Sequence, residues 1–187
     1  MMDMNRKKQA SILRSTRSIH RKTGILLFFF FIIVGVTGVF LGWKKYVDVL
    51  QYPTQKGISE NANEWLPMDS LITIATTEIQ AWKGPEYSTE IDKIDVRPDK
   101  GIMKFIYKEH YYSLQLDATS GEVLSHEYRT SDLMEHLHDG TIVDRLFGIP
   151  GELFKLIYSS ILGIALVLFS ITGFWLWYGP KLMRGKR

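Results

Sequence analysis

Residues 24–42, GILLFFFFIIVGVTGVFLG, and residues 156–178, LIYSSILGIALVLFSITGFWLWY, contain no charged side chain. A bilayer core of ~30 Å is crossed by ~20 apolar residues rising ~1.5 Å each. Each stretch is therefore long enough for one pass. A helix that is apolar on every side can also be the core of a soluble protein. A chain of 187 residues has too little other material to wrap two of them. Two membrane-spanning helices are predicted, over residues 19–46 and 153–178. The basic leader of the first would suit a cleaved signal peptide. However, no A-x-A-like site follows it, only Gly42, Trp43, Lys44 and Lys45, so a retained anchor is expected.

Charge sets the expected orientation. Arg6, Lys7, Lys8, Arg14, Arg17, Arg21 and Lys22 precede the first apolar stretch, against the single acid Asp3. Lys181, Arg184, Lys186 and Arg187 follow the second, with no acid. Basic residues stay on the cytoplasmic side. Residues 1–18 and 179–187 are thus read as basic cytoplasmic tails, the first without regular structure, and residues 47–152 as extracytoplasmic. That middle segment carries 19 acids and 9 bases, a formal charge of −10. The net +3 of the chain comes from residues beside the membrane, so it gives no reason to expect nucleic-acid binding. The absence of cysteine excludes disulfides, thiolate metal sites, iron–sulfur clusters and cysteine nucleophiles. Trp43 and Tyr46 at one end, and Trp175, Trp177 and Tyr178 at the other, suit the headgroup zone. Pro180 is expected to help stop the second helix.

Between the spans the periodicity changes. Residues 47–66 read as a connector. Leu71, Ile72, Ala75, Ile79 and Trp82 form one helical stripe, with Asp69 as its expected cap. Alternating runs follow around Ile94-x-Val96, Met103-x-Phe105-x-Tyr107, Tyr112-x-Leu114-x-Leu116 and Leu124-x-His126-x-Tyr128, separated by turn-forming residues. A helix and an antiparallel meander of about four strands make a small α+β domain, with one sheet face packed on the helix. Residues 131–152 read as a returning connector with a loop through Gly140, Gly148 and Gly151. The two spans are then antiparallel neighbours. Gly35, Gly38 and Gly42 on the first and Ser159 and Gly163 on the second are candidates for close helix packing.

Five motifs in order resemble the PepSY-associated transmembrane family. Ser18-Ile19-His20-Arg21-Lys22-Thr23-Gly24 is similar to its H-x-x-x-G opening, and Gly35-Val36-Thr37-Gly38 to its G-x-T-G element. Leu116 to Leu124, LDATSGEVL, resembles its D-x-x-x-G-x-V hairpin. Leu137-His138-Asp139-Gly140 resembles L-H-x-G, and Ser170 to Trp177, SITGFWLW, resembles I-T-G-x-x-L-W. The resemblance implies a bacterial inner-membrane protein, with a PepSY-like domain between two antiparallel spans. It also implies a place beside iron or siderophore uptake components, as a subunit that binds haem b or accompanies a reductase. Larger relatives have about four spans. With two, this chain is not expected to be an enzyme on its own. A membrane-anchored module that contacts a protein or peptide, such as a protease, is the alternative.

Chemistry then rests on histidines. His20 lies among Arg17, Arg21 and Lys22, where it suits either lipid phosphates or an axial haem position. His136 and His138 share a face on a strand and diverge on a helix; His138 is the one that falls in the family element. His110 and His126 read as structural. His20 and His138 lie on opposite sides of the bilayer in this topology, so one chain does not place both on one haem. A homodimer or a larger membrane complex would have to supply the second ligand, unless His136 and His138 share one. No metal other than haem iron is expected. The apolar stretches 24–42 and 156–178 hold no Asp, Glu, Lys or Arg to carry an ion or proton relay.

Overall fold

The computed structural model describes residues 2–184, with side chains for 7–183. Lys186 and Arg187 of the basic C-terminal tail lie outside the described residues. The elements run α1 (Met2–Trp43), α2 (Met68–Lys83), β1 (Ile91–Arg97), β2 (Ile102–Tyr107), β3 (Tyr112–Asp117), β4 (Val123–Tyr128), α3 (Thr130–Asp139), α4 (Thr141–Phe147) and α5 (Leu153–Arg184). They form two compact units. One holds the chain up to Val39 and from Glu135 onward, and the other holds Phe40–Met134.

In the helical unit, Lys7–Trp43 and Pro150–Met183 are long and apolar enough to cross a membrane. Only 6% of each apolar window is buried, which separates these helices from the core of a soluble fold. Leu13 approaches Gly179, His20 meets Thr172, and Phe30 packs on Tyr158. Numbers rise along α1 as they fall along α5, so the helices are antiparallel. Three details differ from the sequence reading. The basic leader is helical from Met2, because no glycine or proline occurs before Gly24 to interrupt it. Helix α5 runs through Pro180 to Arg184; proline there forgoes a single i to i−4 bond, to the Leu176 carbonyl. Residues 130–147 form α3 and α4, with Gly140 (φ +87°) as the left-handed joint between them. A Cβ there would lie 2.9 Å from Tyr158 Cδ1, so this joint requires glycine.

In the second unit, four antiparallel strands stand in the order β1-β2-β3-β4. Phe105 is paired with Ile94 on one side and Leu114 on the other, and Leu114 with His126. The period of two sends Met103, Phe105, Tyr107, Leu114 and Leu116 to one face, against Leu71, Ala75 and Ile79 of α2. Tyr107 donates its hydroxyl to the Ala75 carbonyl at 2.7 Å, and burial raises its pKa. Helix α2 begins after Pro67, and Asp69 lies in its first turn rather than at its cap.

Part of the opposite sheet face is covered as well. Residues 50–58 cross it as a strap. The Gln55 N–H donates to Gln115 Oε1 at 2.9 Å, and Gln115 Nε2 donates to the Pro53 carbonyl at 3.1 Å. The strap passes so near the β1–β2 turn that a Cβ on Gly57 would lie 2.3 Å from the Gly101 carbonyl oxygen. Asp117 ties strap to hairpin. Its carboxylate accepts from the N–H groups of Ile58 (2.7 Å), Thr119 (2.6 Å) and Ser120 (3.0 Å). Burial alone would raise this carboxyl, but those donors outweigh it and hold it below its ordinary value.

Candidate functional site

His20 leaves α1 toward α5. Its Nδ1 is 2.7 Å from Thr172 Oγ1, its Cε1 lies 3.9 Å from where a Cβ on Gly173 would stand, and Phe169 meets the ring edge-on at 4.8 Å. His138 is delivered by the last turn of α3 and meets α1. Its Nδ1 is 3.0 Å from the buried Thr37 Oγ1, and its Cε1 lies 3.4 Å from a Cβ on Gly38. The two seats have the same construction. Each imidazole rests on a Thr-Gly pair of another helix, with the hydroxyl on Nδ1 and the glycine leaving room for the ring.

The threonines fix the proton. Thr172 Oγ1 is 2.7 Å from the Leu168 carbonyl, and Thr37 Oγ1 is 2.7 Å from the Ile33 carbonyl. Two oxygens this close need a proton between them, and a hydroxyl has only one. Each threonine therefore donates to its own helix and accepts from histidine. Nδ1 carries the hydrogen in both imidazoles, and in the neutral ring Nε2 keeps its lone pair. Among the described residues, neither Nε2 has a hydrogen-bond partner.

Both rings line apolar grooves between α1 and α5. The His20 groove, of about 450 Å³, includes Gly24, Phe28 and Phe169. The His138 groove, of about 520 Å³, includes Gly35, Tyr158 and Gly163. Phe31 and Leu166 belong to both, so the two are continuous along the helix pair. From residue 20 to residue 38, α1 advances about 27 Å at ~1.5 Å per residue. The imidazoles therefore stand near opposite ends of the membrane-crossing stretch.

The other histidines differ. His136 lies two residues before His138 on α3, about 200° away around a helix. Its Nδ1 is 3.5 Å from Arg145 Nη1. The structure does not bring His136 and His138 onto one ligand. His110 accepts from the Tyr112 N–H through Nδ1 at 3.3 Å, so its Nε2 donates to the Ser88 carbonyl at 3.0 Å. His126 turns Nε2 to Glu78 at 3.0 Å and meets the Trp82 ring at a tilt, 4.5 Å between centroids. Among the described residues no three His, Asp or Glu side chains gather to hold a metal ion.

The candidate packing residues also take other places. A Cβ on Gly35, Gly42 or Gly163 would meet no atom within 4 Å, so within this chain they are not close helix contacts. Gly35 and Gly163 instead widen the groove. Gly38 receives His138, and Ser159 donates to the Asp139 carbonyl at 3.2 Å. Sequence reasoning missed the work of Asp144. Its buried carboxylate accepts from the N–H groups of Phe154 (2.9 Å) and Lys155 (2.8 Å) and caps α5 from ten residues upstream. It also missed Thr37 and Thr172 as histidine partners, although the repeated Thr-Gly pair was visible. Asp139, beside His138, is held below its ordinary pKa: burial would raise it, but bonds from Thr141 and the Lys155 ammonium outweigh that.

Compared with known protein families, residues 7–186 match the PepSY-associated TM region. No curated protein matches the sequence.

Proposed function

The chain belongs to the PepSY-associated TM region family, and on that premise we propose that it is a haem-binding accessory subunit of the bacterial inner membrane, serving iron or siderophore uptake. One observation carries the reading: two imidazoles, each fixed by a threonine with Nε2 left as a lone pair, stand at the two ends of an apolar groove. A neutral imidazole in apolar surroundings is the donor that haem iron takes. The residues fit the group, with His20 holding it at one end and His138 at the other. Bound haem b would supply one-electron transfer. The chain's own part is to hold each imidazole in one tautomer, keep water from the groove and span the bilayer.

Each end offers one histidine, so a site that needs two would draw the other from a second chain. A second copy related by a two-fold axis would bring His20 to His20 and His138 to His138. The open space beside Gly35 and Gly163 leaves room for that approach. On the charge counts both termini are read as cytoplasmic and residues 47–152 as extracytoplasmic. A cysteine introduced at Asp99 is then labelled by an impermeant thiol reagent in intact cells, and one at Ser11 is not; the reverse pattern overturns the orientation.

The haem test is the Soret band of the full chain purified with haem available. His20→Ala and His138→Ala are each expected to remove one site's share, and the double variant the whole band. A wild-type protein that stays colourless, alone and with its genomic neighbours, removes the haem reading. The alternative of a membrane-anchored module for a protein or peptide partner would then stand.

A further inference from the structure

The strapped face of the sheet carries a cavity of about 480 Å³, built wholly within the Phe40–Met134 unit. Its lining is unlike the rest of the domain. Residues 46–152 hold 9 bases and 19 acids. Four of those bases line the cavity, with Lys44 just outside the segment, but only three of the acids do.

Those acids are all engaged. Glu127, buried at the floor, takes Lys104, and the Ser113 hydroxyl and Gln115 amide also donate to it. Arg129 holds Asp132 at 2.6 Å. Arg97 holds Asp95 at 2.8 Å, and the bonded carboxylate raises the guanidinium's pKa. Lys44 and Lys93 remain, half-buried and exposed, with no carboxylate within salt-bridge distance among the described residues. The lining therefore has two uncompensated ammonium groups, inside a domain that is otherwise strongly acidic. A cavity of this size suits a small ligand. The Arg97 fork, which would match a carboxylate, is already taken, whereas lysine ammoniums act as point charges on phosphate oxygens.

We propose that this cavity binds a phosphate group, held by Lys44 and Lys93 over the Lys104–Glu127 floor. Its source is either a free phosphate compound or a phospholipid headgroup, the latter because Lys44 follows directly on the last residue of α1. The proposal does not depend on haem.

The experiment uses the full chain in phosphatidylcholine nanodiscs. Inorganic pyrophosphate is titrated calorimetrically, and phosphatidylglycerol retention is followed by native mass spectrometry after lipid exchange. Saturable binding of either probe is expected, weakened about tenfold in Lys44→Gln/Lys93→Gln and reduced by added salt. Pyrophosphate heat assigns a free ligand, and retention of phosphatidylglycerol alone assigns the headgroup. If the double variant loses the wild-type melt, Lys93→Gln, at the exposed position, takes its place. No binding of either probe to wild type, or equal binding to the variants, overturns the site.

Discussion

The two units treat histidine in opposite ways. In the sheet domain, His110 uses both ring nitrogens on its own backbone surroundings, and His126 gives Nε2 to Glu78. In the helical unit, His20 and His138 use Nδ1 alone, and each does so through a threonine whose proton is already committed. His110 has no ring nitrogen left for a ligand, and His126 spends Nε2 on a carboxylate. His20 and His138 instead turn Nε2 toward an apolar groove, which is what the proposed haem reading needs. The difference teaches that a histidine's partners, more than its neighbours in sequence, separate structure from chemistry.

The largest expected effect tests whether the units are separable. Phe105→Ala empties the centre of the sheet core and should cost about 3–5 kcal/mol. Its cooperative melt should be lost or greatly lowered while the Soret band of the full chain is retained. Loss of both together would show that the histidine seats need the sheet domain.

The strap provides the next test. Asp117→Ala leaves the N–H groups of Ile58, Thr119 and Ser120 without their acceptor, a loss of about 1–3 kcal/mol. The same carboxylate predicts a pH dependence. Its folded-state pKa is depressed, so its stabilisation is present above the unfolded value and is lost as pH falls through the folded one. Thermal melts from neutral pH downward should show wild type losing stability on acidification and Asp117→Ala losing less. An excised fragment of residues 62–130 lacks the strap and should melt below one of residues 47–134.

The histidine seats are sharpened by Thr172→Val and Thr37→Val, which keep side-chain shape and remove the acceptor for Nδ1–H. Haem affinity should fall about tenfold to a hundredfold at the altered end, with a shifted midpoint potential, and Thr→Ser should restore both. Unchanged affinity and potential would show that the threonines serve only their helices. The smallest effect is expected from His126→Gln. It changes a half-exposed contact with Glu78, worth at most about 1 kcal/mol, and should leave the Soret band untouched.

Much of the fold was legible because its signals are local. Charge-free runs marked the spans, and alternation marked β2 and β3 almost to the residue. The helical leader was misread because polarity was taken for disorder where propensity favoured helix. The returning segment was misread because Gly140 and Gly148 were taken as loop rather than as joints between short helices. Of the site, His20 and His138 were legible through the motifs that contain them. Their partners were not, because the contacts close over 152 and 101 residues.

The sequence by itself determined the membrane class, the antiparallel spans, the acidic α+β domain and the family. These follow from composition and from periods of two and 3.6, which act within a few residues. Only the tertiary structure decided which histidine nitrogens are spoken for, that His136 turns away from His138, and that cations gather on one face of an acidic domain. Hydrogen bonds and charge pairing are set by distances of about 3–4 Å, and no spacing along the chain fixes those until the helices and strands have packed.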